Sequence, residues 1–189
     1  MKTIIISLLL LTTLTGFCQD IPRDPDSGKF KFEQVIQGEN LSKEELYERS
    51  KNWIIGTLKS SDNMVQLDDE DKDAIIATGN AILSDQNYGW WGSAYRNIIL
   101  NFKFKTYFKE NRLKVIVDNF SIHYDFISAS SSQARNSTLE EGFQKEGYIK
   151  GDKKTAKMYE EVDPIITALI SDFKKSVLNE IQEVNDDDW

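Results

Sequence analysis

The sequence predicts a two-layer α+β domain, and three observations carry that prediction. Between Arg96 and Phe126, apolar and polar residues alternate along two long runs, as they do in strands with one buried and one wet face. In two other segments, near 42–58 and 163–181, apolar residues recur at intervals of three and four, as they do in amphipathic helices. The resulting order is strand, helix, several antiparallel strands, helix. Each helix then has one apolar stripe to lay against one apolar sheet face.

Taken from the N-terminal side, KFKFEQVI places Phe30, Phe32 and Ile36 on one side of a half-buried strand. Ser42 followed three residues later by Glu45 is a capping box, and Leu46, Tyr47, Trp53, Ile54 and Leu58 form the stripe of the helix it opens. Trp53 is read as a core anchor on that stripe. Met64–Leu67 and Ala74–Ile82 are expected strands around the acidic turn Asp68–Asp73. That turn resembles a calcium loop, but Ala74 stands where the loop needs glycine and Asn80 where it needs glutamate, so a solvated hairpin turn is expected.

In the next run Ile98, Leu100, Phe102, Phe104 and Phe108 face inward, and Asn97, Asn101, Lys103 and Lys105 face water. From Arg112 the parity switches. Leu113, Val115 and Val117 point one way and Phe120, Ile122, Tyr124 and Phe126 the other, which a bulge near Asp118 and Asn119 would reconcile. Lys109, Glu110 and Asn111 between the runs suit a tight turn, making the pair a hairpin. Ser128 to Gly151 reads as a long, partly ordered connection. The last helix is expected to be capped by Asp163 with Pro164 at its first position, and its stripe is Ile166, Leu169, Ile170, Phe173, Val177 and Ile181.

The chain opens MKTIIISLLLLTTLTGFCQD, a secretory signal peptide over residues 1–18. Gly16 and Cys18 suit an ordinary small-x-small cleavage site, whereas lipidation at Cys18 would place Phe17 where a small residue is wanted. A free periplasmic or secreted protein is therefore favoured over a lipoprotein. Cys18 is the only cysteine, so the remainder offers no disulfide, thiolate metal site or cysteine nucleophile. Residues 19–28 read as a flexible leader, 29–183 as one domain and 184–189 as an acidic tail. No later segment approaches the roughly 20 apolar residues of a membrane span. With a net charge of −8 and scattered basic residues, the chain is not expected to bind nucleic acid.

Catalytic and metal chemistry find little support. His123 is the only histidine. Ser121, His123 and Asp125 share a strand face, but same-face neighbours lie about 6.5–7 Å apart with parallel side chains, a poor geometry for a proton relay. Phosphate loop, dinucleotide fingerprint and nucleophile elbow are all missing. No catalytic residue, metal ligand or cofactor is assigned. In YGWWG, an extended backbone would send Trp90 and Trp91 to opposite sides, leaving at most one of them for a partner.

SKEELYERSKNWI, the short strands after it and the Arg96–Tyr124 hairpin resemble a bacterial family of unknown function with a TATA-binding-protein-like (TBP-like) fold, found mainly in exported proteins of Bacteroidota. The resemblance spans roughly Phe30 to Tyr124. It implies a curved antiparallel sheet with helices on one face and brings no activity, substrate or catalytic residue. Function is accordingly read as a non-catalytic exported binding or interaction domain. Its expected contact surface is Asn97, Asn101, Lys103 and Lys105, with Trp90 or Trp91 at the rim and a periplasmic or envelope protein as partner. The alternative is a carrier of a small apolar ligand or lipid in a cavity lined by Phe102, Phe104 and Phe120. A carboxylate-based hydrolase using Asp125 or His123 comes third.

Overall fold

The computed structural model describes residues 22–58, 65–69, 73–84, 86–88, 93–128, 130–144 and 160–179. The expected signal peptide, Trp90 and Trp91, residues 70–72 of the acidic turn, Ile181 and the acidic tail lie outside the described residues. In chain order the elements are β1 (Lys31–Gln37), α1 (Lys43–Thr57), β2 (Val65–Asp69), β3 (Ala74–Ile82) and β4 (Gln86–Tyr88). Then follow β5 (Ser93–Lys109), β6 (Arg112–Ser128), β7 (Ser131–Thr138), α2 (Leu139–Gln144) and α3 (Val162–Leu178). The strands form one antiparallel sheet ordered β1-β6-β5-β3-β2, with β4 also on β5 and β7 also on β6.

The expected hairpin is the centre of this sheet. Asn111 makes its turn with φ 58°, a left-handed conformation that asparagine tolerates. The parity switch in β6 is a bulge: Lys103 pairs with Asp118 and Asn101 with Ser121, leaving Asn119 and Phe120 opposite Phe102 alone. Asn119 has φ 55°, and the extra residue lets Leu113, Val115, Val117, Phe120 and Ile122 all reach the core. A second bulge, not evident from alternation, lies in β5. There Asn97 (φ 51°) and Ile98 stand between the pairs Arg96–Asp125 and Ile99–His123.

Each bulge marks a change of neighbour. β1 pairs with β6 as far as Asp118, and β7 takes over from Ser121. On the other side, β3 pairs with β5 down to Ile99 and β4 with Ser93–Tyr95. Bulges bend a strand and increase its twist, so the two long strands can carry different partners at their two ends.

One face of the sheet packs against α1 and α3. The Ser42–Glu45 capping box forms as expected, with Glu45 N donating to Ser42 Oγ at 3.2 Å and Ser42 N donating to Glu45 Oε2 at 2.9 Å. Trp53 is the expected anchor: its ring lies 5.3 Å from Phe104 and 4.9 Å from Phe173, and its Nε1 donates to Asp172 Oδ2 at 2.9 Å. Arg49 donates to the carbonyls of Val177 and Asn179, tying α1 to the end of α3. Phe102, Phe104 and Phe120, the residues that a carrier would set around its ligand, are fully buried in the hydrophobic core with these rings. Among the described residues no helix is long and apolar enough to cross a membrane.

Two local expectations need correction. Within the long, partly ordered connection expected from Ser128 to Gly151, residues 131–144 form two regular elements, β7 and α2. β7 reads SSQARNST and is exposed along most of its length, so an edge strand left no apolar alternation to find. Its end is marked by a capping box, with Glu141 N donating to Thr138 Oγ1 and Thr138 N to Glu141 Oε2, both at 3.1 Å. The last helix begins at Val162 instead of after Asp163. Pro164 is tolerated inside its first turn because the amides there have no intrahelical acceptor, and burial of Val162 draws the start upstream. Glu161, just before the helix, accepts from Ser84 N at 2.8 Å and so ties the helix start to the end of β3.

Two glycines of opposite consequence test this packing. A Cβ at Gly79 would lie 2.5 Å from Phe102 Cε2, its cross-strand partner, whereas one at Gly56 in α1 meets nothing within 4 Å. Urea unfolding should show Gly79→Ala less stable by about 1–3 kcal/mol through overpacking. Gly56→Ala should be more stable by about 0.5–1 kcal/mol, the helix preference for alanine.

Candidate functional site

The face opposite the helices is read most simply as cross-strand rows. Lys31, Asp118, Lys103 and Thr78 form one row, and Glu33, Ile116, Lys105 and Ile76 the next. Over the first row folds the turn that precedes β1, so that Asp24, Lys29, Lys31, Lys103, Lys105 and Asp118 line one open cleft of about 440 Å³. Four ammonium groups thus meet two carboxylates, on a chain whose overall charge is −8.

The turn belongs to the segment read from the sequence as a flexible leader, and residues 22–28 of it are described. Asp24 organises it: Oδ1 accepts from Ser27 N and Ser27 Oγ, both at 2.9 Å, and Gly28 N donates to the Asp24 carbonyl at 2.8 Å. Gly28 adopts φ 67°, the reason a glycine ends the turn. Lys31 N donates to the Pro22 carbonyl, the Arg23 guanidinium lies 4.0 Å from the centre of the Phe30 ring, and Phe30 N donates to Glu140 Oε1 at 3.0 Å. The segment is therefore bonded both to its own strand and to α2.

The hydrogen bonds from Ser27, and then the Lys31 ammonium, hold the Asp24 carboxyl down to about 2. Lys31 bridges Glu33 at 2.7 Å and Asp24 at 3.2 Å, which raises its pKa and lowers that of Glu33. Lys105 donates to Asp118 Oδ2 at 2.6 Å. Lys29 and Lys103 have no ion pair among the described residues. Beside Lys103, the buried Asp118 Oδ1 and Thr78 Oγ1 lack a hydrogen-bond partner among the described residues.

Of the residues singled out in the sequence, Lys103 and Lys105 come together in this cleft. Asn101 shares their face one row away, between Asn80 and Ser121. Asn97 sits farther along, in its bulge, and donates from Nδ2 to Asp125 Oδ2 at 2.7 Å. Trp90 and Trp91 lie outside the described residues, so no rim is drawn from them. His123 bonds Asn136 on β7 at 2.8 Å while Asp125 bonds Asn97 on β5, so the two are engaged with different strands. Sequence reasoning missed Asp24, Lys29 and Lys31, although the run DPDSGK carries the Asp, Ser and Gly of a turn signal.

The depressed Asp24 carboxyl sets a pH dependence with a definite sign. Its contribution to holding the turn is fully present above the ordinary carboxylate range and is lost as pH falls through about 2. Amide shifts of Ser27 and Gly28, followed by NMR, should titrate with a midpoint near 2, and Asp24→Asn should abolish that transition.

A search of the curated proteins found none that matches this chain. Two solved structures share its fold. One is a TBP-like protein from Parabacteroides distasonis ATCC 8503, with a TM-score of 0.65 at 16% identity over 85% of this chain and 99% of that one. The other is a DUF4468 family protein from Bacteroides ovatus ATCC 8483, with a TM-score of 0.51 at 16% identity over 81% of this chain and 90% of that one. Residues 32–123 also match the family model described as a domain of unknown function (DUF4468) with TBP-like fold, close to the span of the resemblance drawn from the sequence. Residues 32–123 thus match the DUF4468 model, and the chain has the antiparallel α+β architecture of the TBP-like fold.

Proposed function

We propose that the chain is a non-catalytic binding module of an exported protein, and that its helix-free sheet face engages a partner through acidic groups. The observation that carries this is the cleft in which Lys29, Lys31, Lys103 and Lys105 converge with Asp24 and Asp118, Glu33 reaching Lys31 from the next row. A local excess of positive charge on an acidic chain steers and orients an anionic partner while the rest of the surface repels it. Lys29 and Lys103 do most of this, because Lys31 and Lys105 are already held by carboxylates of the chain. Export is supported by the signal-peptide pattern of the first 18 residues, and the partner on this reading is a periplasmic or envelope protein.

A photo-crosslinking residue introduced at Lys103 in the native host should capture a discrete partner, while the same residue at Lys174 on the helix layer should not. Lys29→Glu combined with Asn101→Asp should reduce that capture at least tenfold, and 0.5 M NaCl should weaken it as screening of exposed charges requires. Equal capture from both positions, or capture indifferent to the charge changes, would remove the assignment of this face. Retention of a small apolar mass in native mass spectrometry of the protein from its own cells would favour the carrier instead.

A further inference from the structure

The residues that lead into β1 form a small hairpin of their own. Asp24 N donates to the Lys29 carbonyl at 2.8 Å, Arg23 and Phe30 form an antiparallel bridge, and Lys31 N donates to the Pro22 carbonyl at 2.9 Å. Residues 22–24 and 29–31 are therefore its two arms. Extended backbone alternates its side chains, so Phe30 enters the core, where it is fully buried, while Lys29 and Lys31 line the cleft on the open face. Lys29 thus reaches the cleft from the hairpin, whereas Lys103 and Lys105 stand on the central strand β5.

The two ends of this hairpin are held unequally. From Phe30 onward the chain is fixed by burial and by Glu140 Oε1, which accepts from Phe30 N at 3.0 Å. Residues 25–29 are all exposed and are closed by short-range bonds alone: Asp24 Oδ1 accepts from Asp26 N, Ser27 N and Ser27 Oγ, and Ser27 Oγ accepts from Lys29 N at 3.4 Å. A segment with exposed hydrogen bonds and little buried apolar surface opens locally at low free-energy cost. Lys29 and Lys103 are the two lysines of the cleft without an ion pair among the described residues. An occupant whose carboxylates engage both gains more from the closed hairpin than from the open one, and such a difference in affinity shifts the populations toward closure.

We propose that the hairpin of residues 22–31 is the closing element of the lysine cleft: a partner's carboxylates hold it closed, and Asp24, Ser27 and Gly28 are positioning residues that deliver Lys29 to the site. This rests on the lysine cleft being where the acidic partner docks. Coupling of this kind is reciprocal, so occupancy protects the turn by the same factor by which closure strengthens occupancy. It also gives a carboxylate a place in a cleft for carboxylates, because the turn that Asp24 folds supplies the ammonium group of Lys29.

The test is an NMR titration of the full chain with acetylated hexaglutamate at low salt, with circular dichroism confirming that every variant is folded. Lys103→Ala should weaken binding about fivefold or more by removing a contact. Gly28→Val changes no charge, and a Cβ at Gly28 meets nothing within 4 Å among the described residues beyond its chain neighbours, but a β-branched residue resists φ 67°. It should weaken binding about threefold or more by depopulating the closed hairpin, and Gly28→Asn, which accepts that conformation, should restore it. Asp24→Ala with Ser27→Ala separates positioning from charge. Loss of a carboxylate alone would tighten binding of the peptide, whereas loss of the turn should weaken it about threefold or more. Saturating peptide should in turn slow solvent exchange of the Gly28 amide, which donates to the Asp24 carbonyl, by a similar factor. If Lys103→Ala weakens binding and either turn variant does not, the hairpin's role is overturned and the cleft stands. Absence of binding, or indifference to Lys103→Ala, would remove the cleft as the docking site and this inference with it.

Discussion

Everything in this domain is referred to the register of the β5–β6 hairpin. With a side-chain period of two, a slip of one residue along either strand would exchange the phenylalanines of the core for the lysines of the open face. Three asparagines hold that register, at the turn (Asn111) and at the two bulges (Asn97 and Asn119), each with a left-handed backbone. Asparagine is among the few L-residues that accept this conformation at modest cost, and each bulge sits where an outer strand gives way to another. One local property thus decides the face of every side chain in the central strands and the docking site of the strands beside them.

The two faces are built from different physics. On the helix side Trp53, Phe104 and Phe173 bury their rings together, and hydrogen bonds from Trp53 and Arg49 to α3 or its end orient the helices. Such packing dominates stability, so core substitutions are costly. On the open face the interactions are partly exposed ion pairs such as Lys105–Asp118, which individually contribute little to folding. Charges there are consequently under weak structural constraint, and the cleft at Lys103 is rich in cations while the chain as a whole is acidic.

The pieces legible in the sequence are those whose signal is local. The Ser42–Glu45 capping box, the stripe that ends in Leu58, the turn at Asn111 and the parity break at Asp118–Asn119 each declare themselves within a few residues, because helix period, strand period and turn chemistry are properties of short segments. β7 was not legible, since a strand exposed on its edge has no buried face to alternate against. Its capping-box partner pair, Thr138 and Glu141, was present to be read as the start of a helix.

By itself the sequence determined the two-layer class, the inward and outward faces of the central hairpin, and the presence of Lys103 and Lys105 on the wet side. Only the tertiary structure decided that Lys29 and Lys31 join them in one cleft and that the turn at Asp24 folds over it. The physical reason is that periodicity reports which face a residue takes, whereas neighbours on a face are chosen by cross-strand register between segments far apart in the chain.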